Sequence, residues 1–158
     1  MMEKFNSIDE IAQYLRNRGE RLKPLNLGQL IAVKEKFNTN FPKAYIRFLE
    51  LMGRGAGSFM EGSSVFIDEL FDLREGVEEL IVIHKLKPIP ENAFVFWMHQ
   101  GYQAAFFETN DGDDPPVYFY TEGHNMAEFS LLDKTLTDFF TRQLLFSYPE
   151  LREGSASI

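Results

Sequence analysis

The sequence predicts an α+β domain in which helices flank one compact, mainly antiparallel sheet. Apolar residues recur at helical spacing in several segments before residue 85 and in one near the C-terminal end, whereas three apolar and aromatic runs lie close together between residues 93 and 121. Helices and strands are thus segregated along the chain, which favours α+β over an alternating α/β fold. The length of 158 residues suits one domain, which we place at residues 1–150, with residues 151–158 as a flexible tail.

Three helices are predicted in the N-terminal third. Ser7, followed by a glutamate three residues later, has the pattern of an N-terminal cap and predicts a first helix over about residues 8–18. A second helical apolar pattern covers about residues 27–37. A third helix begins at Phe41-Pro42, where proline fits the first turn, and ends at Gly53, which we expect to act as a C-terminal glycine cap.

The rest of the chain is predicted to hold two more helices and the sheet. The glycine-rich segment 53–64 predicts a turn with a short strand near Ser58–Met60. Short turns join the three apolar runs, which indicates an antiparallel meander. The predicted helices are Glu75–His84 and Asp133–Phe146, and the predicted strands are Ala93–His99, Gln103–Glu108 and Val117–Thr121.

Composition narrows the class of protein. The chain has no cysteine, which excludes disulfides, thiolate-bound zinc, iron–sulfur clusters and cysteine nucleophiles. Aromatic residues make up 15% of the chain, with 16 Phe, so we expect a core built on phenylalanine. The first ten residues lack the apolar segment of a signal peptide, and no apolar run reaches the roughly 20 residues that span a bilayer. We therefore expect a cytoplasmic protein without membrane association.

Two acidic segments dominate the charge distribution. The formal net charge is −8, and residues 61–79 carry seven acids and one base, while residues 108–128 carry six acids and no base. Such a surface repels phosphate backbones, so we predict no nucleic-acid partner. It would attract and orient a basic protein, although acidic segments also keep a protein soluble without any partner.

Two loops have the outline of ligand-binding motifs but lack essential residues. The glycine-rich turn 53–57 follows a helix and has no lysine, whereas a phosphate loop follows a strand and carries Gly-Lys-Ser/Thr. The loop beginning at Asp111 places Glu122 at the twelfth position of a calcium loop, but Pro116 occupies the sixth position, where a glycine is required. We interpret the two segments as a helix end and a hairpin loop.

Catalytic patterns are equally weak. His84, His99 and His124 lie in separate segments without metal-site spacing, and no Gly-x-Ser-x-Gly nucleophile motif is present, although a Ser-His-Asp triad needs only to meet in space. A glycosidase needs two carboxylates across a cleft. The neighbouring carboxylates of this chain lie on or near a predicted helix, where the usual arrangement is a face exposed to solvent. The aromatic runs 94–97 and 106–107 could stack nucleic-acid bases, but their neighbourhood lacks cations, which favours core packing.

Several motifs follow one another in a recognisable order. A helix beginning Phe-Pro-Lys-Ala-Tyr-Ile-Arg-Phe-Leu-Glu (41–50) ends in a glycine-rich turn, and an aromatic strand (94–97) precedes a glycine turn and a second strand. The segment Asp-Gly-Asp-Asp-Pro-Pro-Val-Tyr-Phe-Tyr (111–120) follows, and the last helix has a Phe pair (139–140). Over about residues 25–145 this order resembles the SUKH superfamily, the Smi/Knr-like proteins.

The resemblance implies an α+β fold and no known catalytic site. Many bacterial members look like immunity proteins, each of which binds and blocks a toxin delivered by a neighbouring cell, and fungal relatives look like regulatory interaction proteins. The resemblance also implies that the shared positions belong to the scaffold and not to a binding surface. These positions are Pro42, Tyr45, Phe48, Leu49, Gly53, Val117 and Tyr118.

The resemblance and the acidic segments together predict a non-catalytic domain that binds and neutralises a basic polymorphic toxin, such as a nuclease. We expect no cofactor and no metal. Two alternatives remain: a regulatory or scaffolding interaction module without a toxin partner, and a small hydrolase using carboxylates such as Glu108 and Asp111 beside a histidine. The predicted partner-binding residues are Asp68, Glu69, Asp72, Glu75, Glu78, Asp111, Asp113 and Asp114.

Overall fold

The computed structural model of the chain describes residues 5–100, 103–121 and 129–152. It confirms an α+β fold with a mainly antiparallel sheet. The helices are α1 (Ile8–Asn17), α2 (Leu27–Phe37), α3 (Lys43–Met52), α4 (Ile67–Leu70), α5 (Leu73–His84) and α6 (Leu136–Ser147). The strands are β1 (Leu22–Lys23), β2 (Gly55–Ala56), β3 (Ser63–Ser64), β4 (Ala93–His99), β5 (Gln103–Glu108), β6 (Val117–Thr121) and β7 (Ser130–Asp133).

The main sheet is a five-stranded meander in the order β3-β4-β5-β6-β7, with every neighbouring pair antiparallel. Its register shifts between Val95 and Trp97, so Phe96 is an extra residue in β4. A bulge of this kind changes which face the following side chains point to. Here Phe96 and Trp97 both contact Phe139 of α6, at ring-centroid distances of 5.0 and 5.7 Å. The strands β1 and β2 form a separate two-stranded sheet.

Helices cover both faces of the meander. On one face α3 and α6 pack against β4 and β5, and α1 packs on the outer side of these two helices. On the other face α5 lies against β4, where Gly76 allows a close approach, because a Cβ there would lie 3.1 Å from the Met98 methyl group. A smaller apolar cluster that includes Leu80, Leu86 and Tyr120 packs on this second face.

Tyr45 lies at the centre of a core that is rich in phenylalanine, as composition predicts. Its ring centroid is 5.2 Å from Phe41, 5.3 Å from Phe94 and 5.2 Å from Phe107. Such aromatic pairs add to the hydrophobic free energy of burial. Phe59, in the glycine-rich segment, is also fully buried. The positions shared with the SUKH superfamily are buried, except for Tyr118, which is half-buried.

Local signals account for the first two helices. The Ser7 hydroxyl accepts a hydrogen bond from the Glu10 amide (3.2 Å), so the predicted cap of α1 is confirmed. Helix α2 has the predicted bounds, and its start is fixed by a reciprocal capping box between Asn26 and Gln29 that the sequence reasoning missed.

Gly53 ends α3 for a different reason than predicted. Its φ is −61°, so it does not adopt the left-handed conformation of a glycine cap. A Cβ at this position would lie 2.8 Å from the Leu25 Cγ and 2.8 Å from the Leu49 carbonyl oxygen, and the glycine is therefore required by close packing. Pro42 occupies the N-cap position, just before the first helical residue.

Several boundary predictions were wrong. Ser58–Met60 is a turn, and the short strands of this region are β2 and β3 instead. Asp133, predicted as the first residue of the last helix, is the last residue of strand β7, and α6 begins at Leu136. The meander has five strands where three were predicted. Glu122, His124 and residues 153–158 of the predicted tail lie outside the described residues.

Candidate functional site: acidic surfaces and two clefts

The first acidic segment runs from the turn before β3 through α4 and α5, and its acidic side chains are exposed to solvent. Glu69 accepts a hydrogen bond from the Ser64 hydroxyl (2.8 Å), and Glu78 forms an ion pair with Arg74 (3.2 Å). The other predicted binding residues of this segment, Asp68, Asp72 and Glu75, make no ion pair within the described residues. Since α5 packs on the sheet through its opposite side, these carboxylates face solvent.

In its described part, the second acidic segment includes the loop that connects β5 to β6, and this loop caps two helices. The backbone carbonyl of Asp113 accepts a hydrogen bond from the Ala44 amide in the first turn of α3 (2.9 Å). The carboxylate of Asp114 accepts one from the Thr137 amide in the first turn of α6 (2.9 Å). Helix N-termini need such acceptors, because their first amides have no partner within the helix. Sequence reasoning missed this role; the lack of a capping side chain before Lys43 was the available signal.

The three aspartates of this loop therefore differ in what holds them. Asp114 is partly buried and engaged by α6. Asp113 forms a long ion pair with Lys43 (3.8 Å), in which both side chains are largely exposed, so it adds little to stability. Asp111 is exposed and makes no ion pair among the described residues.

Both acidic segments contribute residues to the lining of one cleft. The cleft has a volume of about 380 Å³ and is lined by Leu70 and Arg74 of the first segment and by Thr109 of the second. The acid that lines it is Glu91, which lies outside both segments. Arg74 also donates a hydrogen bond to the Ala93 carbonyl (2.7 Å). Its cation is thus held by the Ala93 carbonyl and by Glu78.

A second cleft, of about 480 Å³, lies at the other end of the strands and was not predicted. Its apolar walls come from the sheet and from α6, with Trp97, Phe119, Leu132 and Phe146 among them. Polar groups from the turn before β3 and from α6 complete the lining. Sequence reasoning missed it because its lining residues come from six separated segments.

Ser63 and His99 are the described residues that come closest to a catalytic pair. The Ser63 hydroxyl lies 3.0 Å from Nδ1 of His99, and the two residues face each other across β3 and β4. In a serine triad the hydroxyl contacts Nε2, and the acid holds Nδ1. The present pair has the opposite arrangement, which is that of a cross-strand hydrogen bond.

Glu108, one of the carboxylates suggested for a hydrolase, lies away from this histidine. Glu108 pairs with Ala93, whereas His99 pairs with Gln103, so Glu108 and His99 occupy opposite ends of the β4–β5 hairpin. At about 3.3 Å per residue this separates them by about 17 Å. His84 lies at the end of α5 with its ring 6.2 Å from that of Tyr120.

Neither a metal site nor a membrane-spanning helix occurs within the described ranges. No three His, Asp or Glu side chains of residues 5–100, 103–121 and 129–152 come close enough together to bind a metal ion. None of the helices in this part of the chain combines the length and the apolar character needed to cross a bilayer.

Comparison with known proteins identifies the family. The model described as the SMI1 / KNR4 family (SUKH-1) matches residues 24–142, from just before α2 to the middle of α6. A search of curated proteins gave no match. The match covers well over half of the chain and includes the meander and its supporting helices. The chain therefore belongs to the SMI1/KNR4 family (SUKH-1).

Proposed function

We propose that this protein is a non-catalytic, cytoplasmic immunity protein that binds and neutralises a basic toxin domain. Membership of the SMI1/KNR4 family is consistent with a domain that works through protein–protein contact. The observation that carries the proposal is the group of exposed carboxylates in the two acidic segments that form no ion pair among the described residues; both segments contribute to the lining of one cleft of about 380 Å³. A toxin that acts on nucleic acid needs a cationic surface, and such a surface is complementary to these segments.

The charges are suited to fast capture of a basic partner. Asp68, Asp72, Glu75 and Asp111 are exposed and are not neutralised by ion pairs within the described residues. Exposed charges of one sign raise the association rate for an oppositely charged partner, and salt weakens the effect. Close charge pairs in an interface contribute about 1.5–7 kcal/mol each, so a few are enough for tight binding.

The first experiment is a pull-down from the source cell's lysate and secreted fraction at low and high salt, with the wild-type chain and a Glu75→Lys variant as baits. Glu35→Lys is the matched control, since Glu35 is equally exposed on a helix outside both acidic segments. We expect a basic protein that is retained by wild type and the control at low salt and is depleted by Glu75→Lys.

The captured protein is then expressed in a host with and without the immunity candidate. Growth arrest that is relieved by co-expression supports the proposal, and association should be about 2- to 10-fold slower for Glu75→Lys at low salt. A captured housekeeping protein, or a toxin that is not neutralised, contradicts it and favours the regulatory module. Turnover of esters, glycosides or phosphoesters by the pure protein would instead support the hydrolase.

A further inference from the structure

The second cleft has the chemistry of a binding site for one long cationic side chain. One wall consists of Leu132, Phe119 and the exposed ring of Phe146, which is 62% exposed. Apolar side chains this open to solvent at the edge of a cleft are available to a partner. These apolar side chains would contact the aliphatic or planar part of an inserted group, because long charged side chains bury their stems and keep the charge at the rim.

The unbalanced charge at the rim is negative. Glu61 lines the cleft, is exposed and makes no ion pair within the described residues. Glu20 lies just behind the rim, where it accepts hydrogen bonds from the amide and the hydroxyl of Ser58, another lining residue.

The cation in the lining is already paired. The Arg142 guanidinium donates to both carboxylate oxygens of Asp133, with distances of 2.8 to 3.2 Å, and Asp133 is buried. This bidentate ion pair offsets the positive charge of Arg142. The cleft therefore presents aromatic and aliphatic walls together with one carboxylate, that of Glu61, which forms no ion pair among the described residues.

We infer that this cleft binds an arginine side chain of the protein partner. Arginine is favoured over lysine because its planar guanidinium stacks on aromatic rings and forms directed hydrogen bonds with carboxylates and amide oxygens. In the cleft the rings are those of Phe119 and Phe146, the carboxylate is that of Glu61, and Gln103 and Gln143 supply amide groups. The inference rests on the proposed function only for the identity of the partner.

Trp97 makes the inference testable without the partner. It is the only tryptophan of the chain, it lines the cleft, and its indole N–H makes no hydrogen bond with the described residues. Its indole resonance in a nitrogen–proton NMR spectrum is therefore a single, assigned reporter. The probe is the capped peptide acetyl-Gly-Arg-Gly-amide, and the comparison peptide replaces arginine by citrulline, which has the same shape and no charge.

We expect the arginine peptide to shift the Trp97 indole resonance saturably, with a dissociation constant on the order of 1 mM. The citrulline peptide should bind about 1.4- to 5-fold more weakly, as expected for an exposed ion pair. Glu61→Gln should abolish this preference, whereas Glu35→Gln, an exposed acid on α2, should preserve it. Phe146→Ala should weaken both peptides, and the dispersion of the same spectra shows whether each variant is folded.

Three results would overturn the inference: no indole shift with the arginine peptide, equal affinity for the two peptides, or an unchanged preference in Glu61→Gln. The pull-down tests the proposed function separately, through Glu75 on α5. If the peptide binds but no toxin partner is found, the cleft assignment stands and the immunity role is refuted. If a toxin is captured and neutralised but the peptide does not bind, the immunity role stands and the cleft assignment is refuted.

Discussion

The buried hydroxyl of Tyr45 predicts a substitution that stabilises the protein. Tyr45 is completely buried, and its hydroxyl has no hydrogen-bond partner among the described residues. Burial without a partner also raises the pKa of this hydroxyl far above its usual value. A buried donor that loses its water and gains no partner costs about 1–3 kcal/mol. We expect Tyr45→Phe to recover most of this cost, because the ring contacts are unchanged.

The void left by the oxygen is a small opposing effect. For roughly 12 Å³ of unfilled space at about 24 cal/mol per Å³, the loss is about 0.3 kcal/mol. The net increase in the free energy of unfolding is then about 1–2 kcal/mol, which for a domain of this size raises the melting temperature by about 2–8 °C. Urea unfolding followed by circular dichroism measures the change, and an unchanged slope with urea shows that the unfolded state is unaffected.

Tyr148→Phe is the matched control, since it removes the same atom from a different environment. The Tyr148 hydroxyl hydrogen-bonds to Glu20 and Ser58, and burial, together with the charge of Glu20, raises the pKa of Tyr148. Losing these bonds should cost about 1 kcal/mol, so the two variants should differ in sign. If Tyr45→Phe is as destabilising as Tyr148→Phe, the Tyr45 hydroxyl has a partner in solution and our reasoning fails.

Three further predictions concern stability, each measured by urea unfolding. Gly53→Ala should lower the free energy of unfolding by about 1–3 kcal/mol through overpacking. Gly28→Ala is the control: its added methyl group meets only an ordinary contact in α2, so it should raise the free energy of unfolding by about 0.4–1 kcal/mol. An unchanged stability in Gly53→Ala would show that the packing can relax. Asp114→Ala should cost about 0.5–2 kcal/mol, because it removes the hydrogen bond to the Thr137 amide that supplements the Thr135 cap of α6. Asp111→Ala should be neutral, and equal costs would contradict this role of Asp114. Hydrogen bonds from Ser58 hold the pKa of Glu20 below its usual value of 4.5, so its stabilising effect is complete above that pH and is lost as the pH falls through the lower, folded-state pKa. Glu20→Gln should therefore weaken the loss of stability on acidification, and an identical pH profile would refute this assignment.

The elements that sequence reasoning located are those whose own residues carry the pattern. Helices α1 and α2 have complete apolar faces and caps, and the runs from Ala93 to Thr121 form strands because they are apolar and separated by turn residues. By contrast, Ser63–Ser64 and Gly55–Ala56 have no strand character of their own and pair only because the tertiary structure brings a neighbour to them. Local patterns contain no information about such pairing.

The candidate sites, too, were predictable only where the local sequence determines the position of the residues. The acidic residues of α4 and α5 were located correctly as an exposed group, because a run of charges on a short helix has few other places to lie. The difference between Asp111 and Asp114 was not predictable, since it depends on where the first turn of α6 lies in space. The second cleft depends on the Phe96 bulge and on the turn before β3, and neither has a distinct sequence pattern.

The loop from residue 110 to residue 116 joins the starts of two helices, and this restricts how the protein can change. Most surface hairpin loops tolerate insertions and accept tags. This loop is fixed at its backbone by α3 and at the Asp114 side chain by α6, so a change in its length would release both helices together. We therefore expect the loop to diversify its partner preference by exchanging exposed side chains at constant length. Inserted residues and engineered labels belong at sites such as the turn at Gly19, where an added Cβ would meet no other atom within 4 Å.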